Sequence, residues 1–243
     1  MEHEGIGDQY QRLTKYVRGS MPRHGLEWSA QPSPRKAYEK SVETIVLPAP
    51  APVEPDTLWA AIRARRSIRS YRREPLTLKE VSQLLWATQG TTERVGAYRL
   101  RSAPSAGALY PIETYLVVSR VDGLEPGLYH YDPFDAVLQL LEKGERGAQA
   151  AAAALDQPIA GDAAAVFVWT AVIERSKWKY RERAYRYIYL DAGHIGQNLY
   201  LAATALGLGC CTIGAFYDEE VNRLVAVDGD RETAVYMGCV GRL

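Results

Sequence analysis

The sequence has no surplus charge: 29 lysines and arginines are matched by 29 aspartates and glutamates. Without a net field to gather polyanions, neither nucleic acid nor an anionic membrane is expected as a partner, and any anion site must be local. Cysteine is scarce too, with only Cys210, Cys211 and Cys239, an odd number and no C-x-x-C pattern. Neighbours on a strand point to opposite faces, so Cys210 and Cys211 cannot easily share a metal ion. Buried, apolar cysteines in a reducing compartment are expected, and no metal site. No apolar run reaches the roughly 18 residues of a membrane span, and MEHEGIGDQYQRL lacks a signal-peptide pattern. The reading is a cytoplasmic protein without a membrane partner. What remains is ordinary globular composition, 47% apolar and 24% charged, long enough for one large core.

Residues 1–47 are polar with scattered aromatics and read as an arm that packs on something. The run L-P-A-P-A-P-V-E-P (47–55) reads as a stiff extended linker. The expected organisation is an arm and linker over 1–55 and one domain over 56–243. Asp56 or Thr57 can cap a helix with Leu58, Ala61 and Ile62 on one face, running into Arg65. T-L-K-E (77–80) is a capping box before an apolar stripe ended by Gly90. Strands are expected over 112–119 and 163–172, and a hairpin around Asp132-Pro133. A long helix over 185–206 keeps a 3.6-residue period through Ile188, Ala192, Ile195, Leu199, Ala202 and Leu206, with glycines and alanines that make it slim. On it His194 reads as a buried, hydrogen-bonded packing residue. A short strand (210–214), a helix opened by Asp218 and a last strand (233–240) follow. Mixed helices and strands with local hairpins predict a three-layer α+β sandwich.

Two stretches carry chemistry. In R-R-S-I-R (65–69), extended backbone aligns Arg65, Ser67 and Arg69 on one face. Two guanidinium forks and a hydroxyl suit a terminal phosphate, although a solvated basic face at a helix end has the same composition. In P-S-A-G (104–107), small residues leave the backbone bare enough to approach a flat heterocycle; a plain turn before a strand is the alternative.

R-R-S-I-R, P-S-A-G-A-L-Y-P-I-E, R-Y-I-Y-L-D-A-G-H-I-G-Q-N-L and A-L-G-L-G-C-C-T-I-G-A-F, in that order, resemble the motifs of nitroreductase-like flavoproteins. SagB-type dehydrogenases look the nearest branch, with L-T-K-Y (13–16) and L-E-W-S-A-Q-P-S-P (26–34) extending the likeness into the arm. The resemblance implies an α/β/α sandwich with a mainly antiparallel central sheet, and a homodimer with FMN at its interface. It implies that Arg65, Arg66, Ser67 and Arg69 hold the phosphate and ribityl end. Pro104, Ser105, Ala106 and Gly107 of the other subunit would pack on the isoalloxazine, and Ile213, Gly214 and Ala215 would face its N5–O4 edge. Arg242 is the candidate for a basic residue that many members bring to the phosphate from the C-terminus. G-L-G-C-C-T (207–212) is not a dinucleotide fingerprint: it follows a helix and has threonine at the third glycine position. NAD(P)H can still be a transient donor.

Lys179-Tyr180 matches a pair of the azoline-forming branches, where it is thought to take a proton while flavin takes hydride. A lysine base needs burial or neighbouring cations, and arginines surround this one; a solvated basic connector is the alternative. Three functions remain open at this level: an FMN-dependent oxidoreductase acting on a small organic substrate, a dehydrogenase of peptide thiazolines or oxazolines, and a non-catalytic flavin- or partner-binding module.

Overall fold

A continuous apolar run over 165–172 lies at the centre of the molecule, and its alternating side chains build a core on each side of one sheet. The structure, a computed structural model, describes residues 6–13, 26–36, 38, 41–49, 57–96 and 98–243. The proline-rich residues 50–56 and the match at 14–16 lie outside the described residues. The helices are α1 (Ile6–Leu13), α2 (Thr57–Ala64), α3 (Leu78–Gln89), α4 (Gly147–Ala153), α5 (Pro158–Asp162), α6 (Ile173–Tyr180), α7 (Ala184–Ala205) and α8 (Asp218–Leu224). The strands are β1 (Glu43–Val46), β2 (Leu76–Thr77), β3 (Thr91–Val95), β4 (Tyr98–Arg101), β5 (Ile112–Val118), β6 (Val121–Asp122), β7 (Gly127–Asp132), β8 (Val137–Lys143), β9 (Ala165–Val172), β10 (Leu208–Ile213) and β11 (Glu232–Arg242).

Seven strands form one sheet in the order β1-β8-β7-β5-β9-β11-β10, every neighbour antiparallel. Phe167 and Trp169 of β9 point to one face, where α3 (Leu84, Leu85) and α7 (Ile188, Ile195, Leu199) cover them. Val166 and Val168 point to the other, against α4, α5 and α8 through Ala150, Ala153, Ile159, Val221 and Leu224. The two-residue period of the strand thus creates the expected three layers. Cys210 joins the first core and Cys211 and Cys239 the second, all free and buried. Burial pushes the Cys210 and Cys239 thiols up, so they pack as small apolar groups.

The capping box of α3 is complete: Thr77 accepts from the Glu80 amide, and Glu80 accepts from the Thr77 amide. Gly90 ends α3 with an ordinary φ of −61°, and glycine is required there because a Cβ would meet Trp86 at 2.3 Å. Helix α2 differs from expectation. Only Ala61 is buried, while Leu58 and Ile62 stay about half exposed. Helix α6 was not foreseen; β9 runs into it without a glycine or proline between them. His194 is exposed, not a buried packing residue. The buried positions of α7 are 184, 188, 191, 192, 195, 196, 199, 200 and 203, and 194 falls on the opposite side of the same period.

Candidate active site

Two groups of the expected residues assemble at different points along α7. The first begins where α2 ends and the chain turns extended. Residues 65 and 67 lean toward α7 while Ile68 turns back to the sheet, where its amide donates to Cys210 O at 2.9 Å. The Arg65 guanidinium lies 5.2 Å above the Tyr200 ring, and Ser67 Oγ is 2.9 Å from Tyr200 Oη. Tyr200 Oη also accepts from the Thr212 amide at 3.0 Å, and Thr212 Oγ1 meets Tyr236 Oη at 2.6 Å. A line of hydroxyls, Ser67–Tyr200–Thr212–Tyr236, therefore runs from the arginines to the end of β10. There Ile213 is buried while Gly214 and Ala215 are exposed, and Ala215 O accepts from Gln157 Nε2 at 3.0 Å. Above Gly214, among the described residues, only Tyr236 comes near, at 3.9 Å from an imagined Cβ.

Arg69 stands exposed. Arg66 folds onto its own backbone, donating to Arg63 O and Arg65 O. Arg242 is engaged elsewhere: its two terminal nitrogens pair with the two Glu80 oxygens at 2.8 and 2.9 Å, on the cap of α3. That bidentate pair holds the Glu80 carboxyl below the usual range against the opposing effect of burial.

The second group surrounds 104–107. Pro104 is exposed. Ser105 Oγ donates to Asp191 Oδ2 at 2.6 Å and accepts from the Tyr110 amide at 2.9 Å, and the Ala106 amide reaches Asp191 Oδ1 at 3.3 Å. Asp191, on α7, thus clamps the loop. Burial holds its carboxyl above the ordinary value, and the bonds from Ser105 and Ala106 offset only part of that rise. The loop is bent hard: Gly107, Ala108 and Tyr110 all have positive φ (65°, 53° and 47°), a strain that persists only where surroundings fix it. Gly107 faces Lys179 and Tyr180. A Cβ there would lie 2.6 Å from Tyr180 Oη and 3.0 Å from Lys179 Nζ. Tyr180 in turn meets Tyr187 edge-on at 4.7 Å.

Helix α6, which carries that pair, is anchored from below and from the arm. Arg175 is buried and pairs with Glu113, whose other oxygen is 2.7 Å from His130 Nε2. Burial would raise the Glu113 carboxyl, but Arg175, His130 and Arg101 prevail and hold it at about 2. Arg175 Nε also donates to Ser33 O at 2.8 Å, and Trp178 Nε1 to Glu27 O at 2.8 Å, with Trp28 edge-on to Trp178. Residues 27, 28 and 33 therefore pack against the helix that bears Lys179 and Tyr180.

Asp191 and Tyr200 mark the two groups, nine residues apart on α7, or about 14 Å along its axis. Tyr200, Thr212, Tyr236 and Asp191 were not singled out in the sequence. Asp191 lies inside the R-Y-I-Y-L-D-A-G-H-I-G-Q-N-L motif, whereas the hydroxyl line draws on α7, β10, β11 and the segment after α2.

Residues 62–242 match the profile of the nitroreductase family. The chain belongs to that family. Among curated proteins of the family it is similar to a provisionally named nitroreductase of Methanocaldococcus jannaschii, 40% identical over 179 residues, covering 73% of this chain and 87% of that one. It is also similar to the trifolitoxin-processing protein TfxB of Rhizobium leguminosarum bv. trifolii, 33% identical, covering 66% of this chain and 46% of that one. The chain thus spans about half the length of TfxB, and likewise of the microcin B17-processing protein McbC of Escherichia coli (28% identical over 133 residues, covering 53% of this chain and 49% of McbC). Among solved structures, a provisionally named nitroreductase of Anabaena variabilis superposes with a TM-score of 0.81 at 30% identity, covering 98% of this chain and 46% of that one. The Escherichia coli microcin synthetase McbBCD complex with truncated pro-MccB17 bound gives 0.64 at 20%, covering 96% and 85%. A nitroreductase-fold protein of Desulfovibrio desulfuricans in complex with FMN gives 0.54 at 22%, covering 79% and 87%. The last two support the shared fold. Among the described residues no helix is long and apolar enough to cross a membrane.

Proposed function

We propose that this nitroreductase-family protein is an FMN-dependent oxidoreductase that works as a homodimer on a small organic substrate. The observation that carries the reading is the hydroxyl line headed by cations: Arg65 and Ser67 beside Tyr200, Arg69 exposed beyond them, and Thr212 and Tyr236 leading to the bare Gly214. That donor set fits FMN, with guanidiniums for a phosphate, hydroxyls for a polyol chain and an unobstructed glycine for a flat ring. Arg65, Ser67 and Arg69 would hold the phosphate, Arg66 flanking them, and residues 213–215 would border the ring. With Arg242 engaged by Glu80, the cradle rests on the first three. FMN, when bound, supplies a ring that accepts and returns hydride, with NAD(P)H as transient donor.

Pro104–Gly107 lies about 14 Å along α7 from this line, so the reading has a second copy supply its loop to the ring. Apolar side chains are available for that contact. Leu58, Trp59 and Ile62 on α2, which packs on α7, and Tyr189 and Leu190 on α7 are each about half to three-quarters exposed. In the working site Asp191 would keep the loop shaped, α6 would shield one side from water, and Lys179 would hold or take a proton beside Tyr180.

The test is spectroscopic and kinetic. The purified chain should be yellow and release FMN on denaturation. Arg65→Ala with Arg69→Ala should weaken FMN binding by at least tenfold. A colourless protein that ignores added FMN would refute the reading in favour of a non-catalytic module.

A second reading, oxidation of peptide thiazolines or oxazolines, is favoured by the approach of Lys179 and Tyr180 to Gly107 and by the similarity to TfxB and McbC. Rapid NAD(P)H oxidation with a quinone or nitroaromatic, unaffected by Lys179→Ala, would count against it. Azole formation on an azoline peptide, lost in that variant, would establish it.

A further inference from the structure

A cavity of about 300 Å³ opens between the arm, the β3–β4 hairpin and the strained loop. Its walls include Pro32 and Pro34 of the arm, Tyr98 and Arg99 of β4, Tyr110 and Phe134. Three aromatic rings and two prolines favour a flat apolar ring over a polar chain.

The charges around it are unevenly matched. The Phe134 ring has three guanidiniums within 6 Å, those of Arg35 (5.6 Å), Arg99 (4.9 Å) and Arg101 (5.9 Å). Arg35 is neutralised by Asp132 and Asp135, and Arg175 at the cavity's inner wall by Glu113. Arg99 and Arg101 form no ion pair among the described residues. Arg99 Nη1 donates to Phe134 O at 3.0 Å and Arg101 Nη1 to Gln89 Oε1 at 2.8 Å, both neutral acceptors. Four guanidiniums thus face three carboxylates. Burial pushes Arg101 down to about 10, so it remains charged at neutral pH. Arg101 is buried behind the wall, whereas Arg99 lines the cavity and is part-exposed.

We infer that this cavity binds a flat aromatic ring bearing one carboxylate. The ring lies among Tyr98, Tyr110 and Phe134, and the carboxylate meets Arg99. Ala108 of the cavity adjoins Gly107, and Arg175 stands one helical turn before Lys179, so an occupant extends toward the Lys–Tyr pair. Binding stands on the cavity alone; that the occupant is the molecule reduced or oxidised rests on the oxidoreductase reading.

The experiment compares 4-nitrobenzoate with its neutral methyl ester, by calorimetry on the purified full chain with and without FMN. The acid should bind at least tenfold more tightly than the ester. Arg99→Gln should remove that preference and Arg99→Lys should keep most of it. Phe134→Leu should weaken both compounds. Equal affinities for the two compounds, no binding of either at millimolar concentration, or a preference indifferent to Arg99→Gln would overturn the inference. The wild-type comparison stands even if a variant fails to fold. Tight binding without NAD(P)H-driven reduction leaves the cavity assignment intact and counts against the oxidoreductase reading. FMN binding and quinone turnover without nitrobenzoate binding overturn the cavity assignment alone.

Discussion

Replacing Gly107 by alanine separates stability from catalysis in a way the geometry quantifies. Gly107 has φ of +65°, where a side chain costs about 1–2 kcal/mol. Alanine recovers about 0.4–1 kcal/mol by stiffening the unfolded chain, leaving a net loss of about 1 kcal/mol. For a chain of this length that lowers Tm by about 2–4 °C. The new methyl would lie 2.6 Å from Tyr180 Oη and 3.0 Å from Lys179 Nζ, against ordinary contact from 3.4 Å. Tyr180 Oη must therefore retreat by about 0.8 Å and Lys179 Nζ by about 0.4 Å. Both are the far ends of side chains, so the displacement adds little to the folding cost. If the pair handles the proton, a shift of that size should lower kcat by about 10- to 100-fold. The assay is turnover of the FMN-loaded enzyme at 25 °C, well below the melting transition, beside a thermal melt. A variant that melts a few degrees lower yet turns over at the wild-type rate would refute the placement of Lys179 and Tyr180 at the chemistry.

Three further outcomes follow from other contacts. Glu113 is held at about 2, below its ordinary 4.5, so its contribution is present above pH 4.5 and lost as pH falls toward 2; Glu113→Gln should abolish that part of the acid sensitivity and destabilise by on the order of 3 kcal/mol near neutrality, measured by urea titration across pH. Gly193 is exposed on α7 with nothing among the described residues within 4 Å of an imagined Cβ. Gly193→Ala should add about 1 kcal/mol of helix stability but weaken dimerisation in sedimentation, and a stabilised, undiminished dimer would remove α7 from the interface. Glu80→Ala breaks both the capping box and the Arg242 pair and should cost about 1–2 kcal/mol in a thermal melt. FMN affinity should not change, and a tenfold loss would return Arg242 to the phosphate.

Much of the fold was legible because single elements carry their own signals. The capping box announced α3, the 3.6-residue period announced α7, and the apolar run announced β9. The same period, followed through to position 194, places His194 on the outer face of the helix. Helix α6 was hidden because Val172, before it, offers no cap and I-E-R-S-K-W-K-Y carries no clear apolar stripe. Its stability comes from Arg175 reaching Glu113 and from the arm, contacts 62 and 142 residues distant in sequence. The candidate site divides the same way. Arg65, Ser67 and Pro104–Gly107 are contiguous motifs and could be read. Tyr200, Thr212 and Tyr236 are ordinary residues on α7, β10 and β11 that become a line only when the helix lies across the sheet.

At residues 27–34 the hydrogen bonds between the arm and the domain are made to main-chain oxygens: Arg175 takes Ser33 O, Trp178 takes Glu27 O, and Arg101 reaches toward Pro34 O at 3.5 Å, whereas just beyond them Arg35 and Lys36 attach through their side chains to Asp132, Asp135 and Glu232. A grip on carbonyls is indifferent to the side chains attached to them. Residues 31–34 can therefore change identity without releasing α6, while the same residues form one wall of the cavity beside the loop. Residues 31–34 are in effect an interchangeable cheek on a fixed jaw: their hold on α6 is written in backbone, Arg35 and Lys36 pin the chain beyond them, and the side chains between are left free to retune what fits inside.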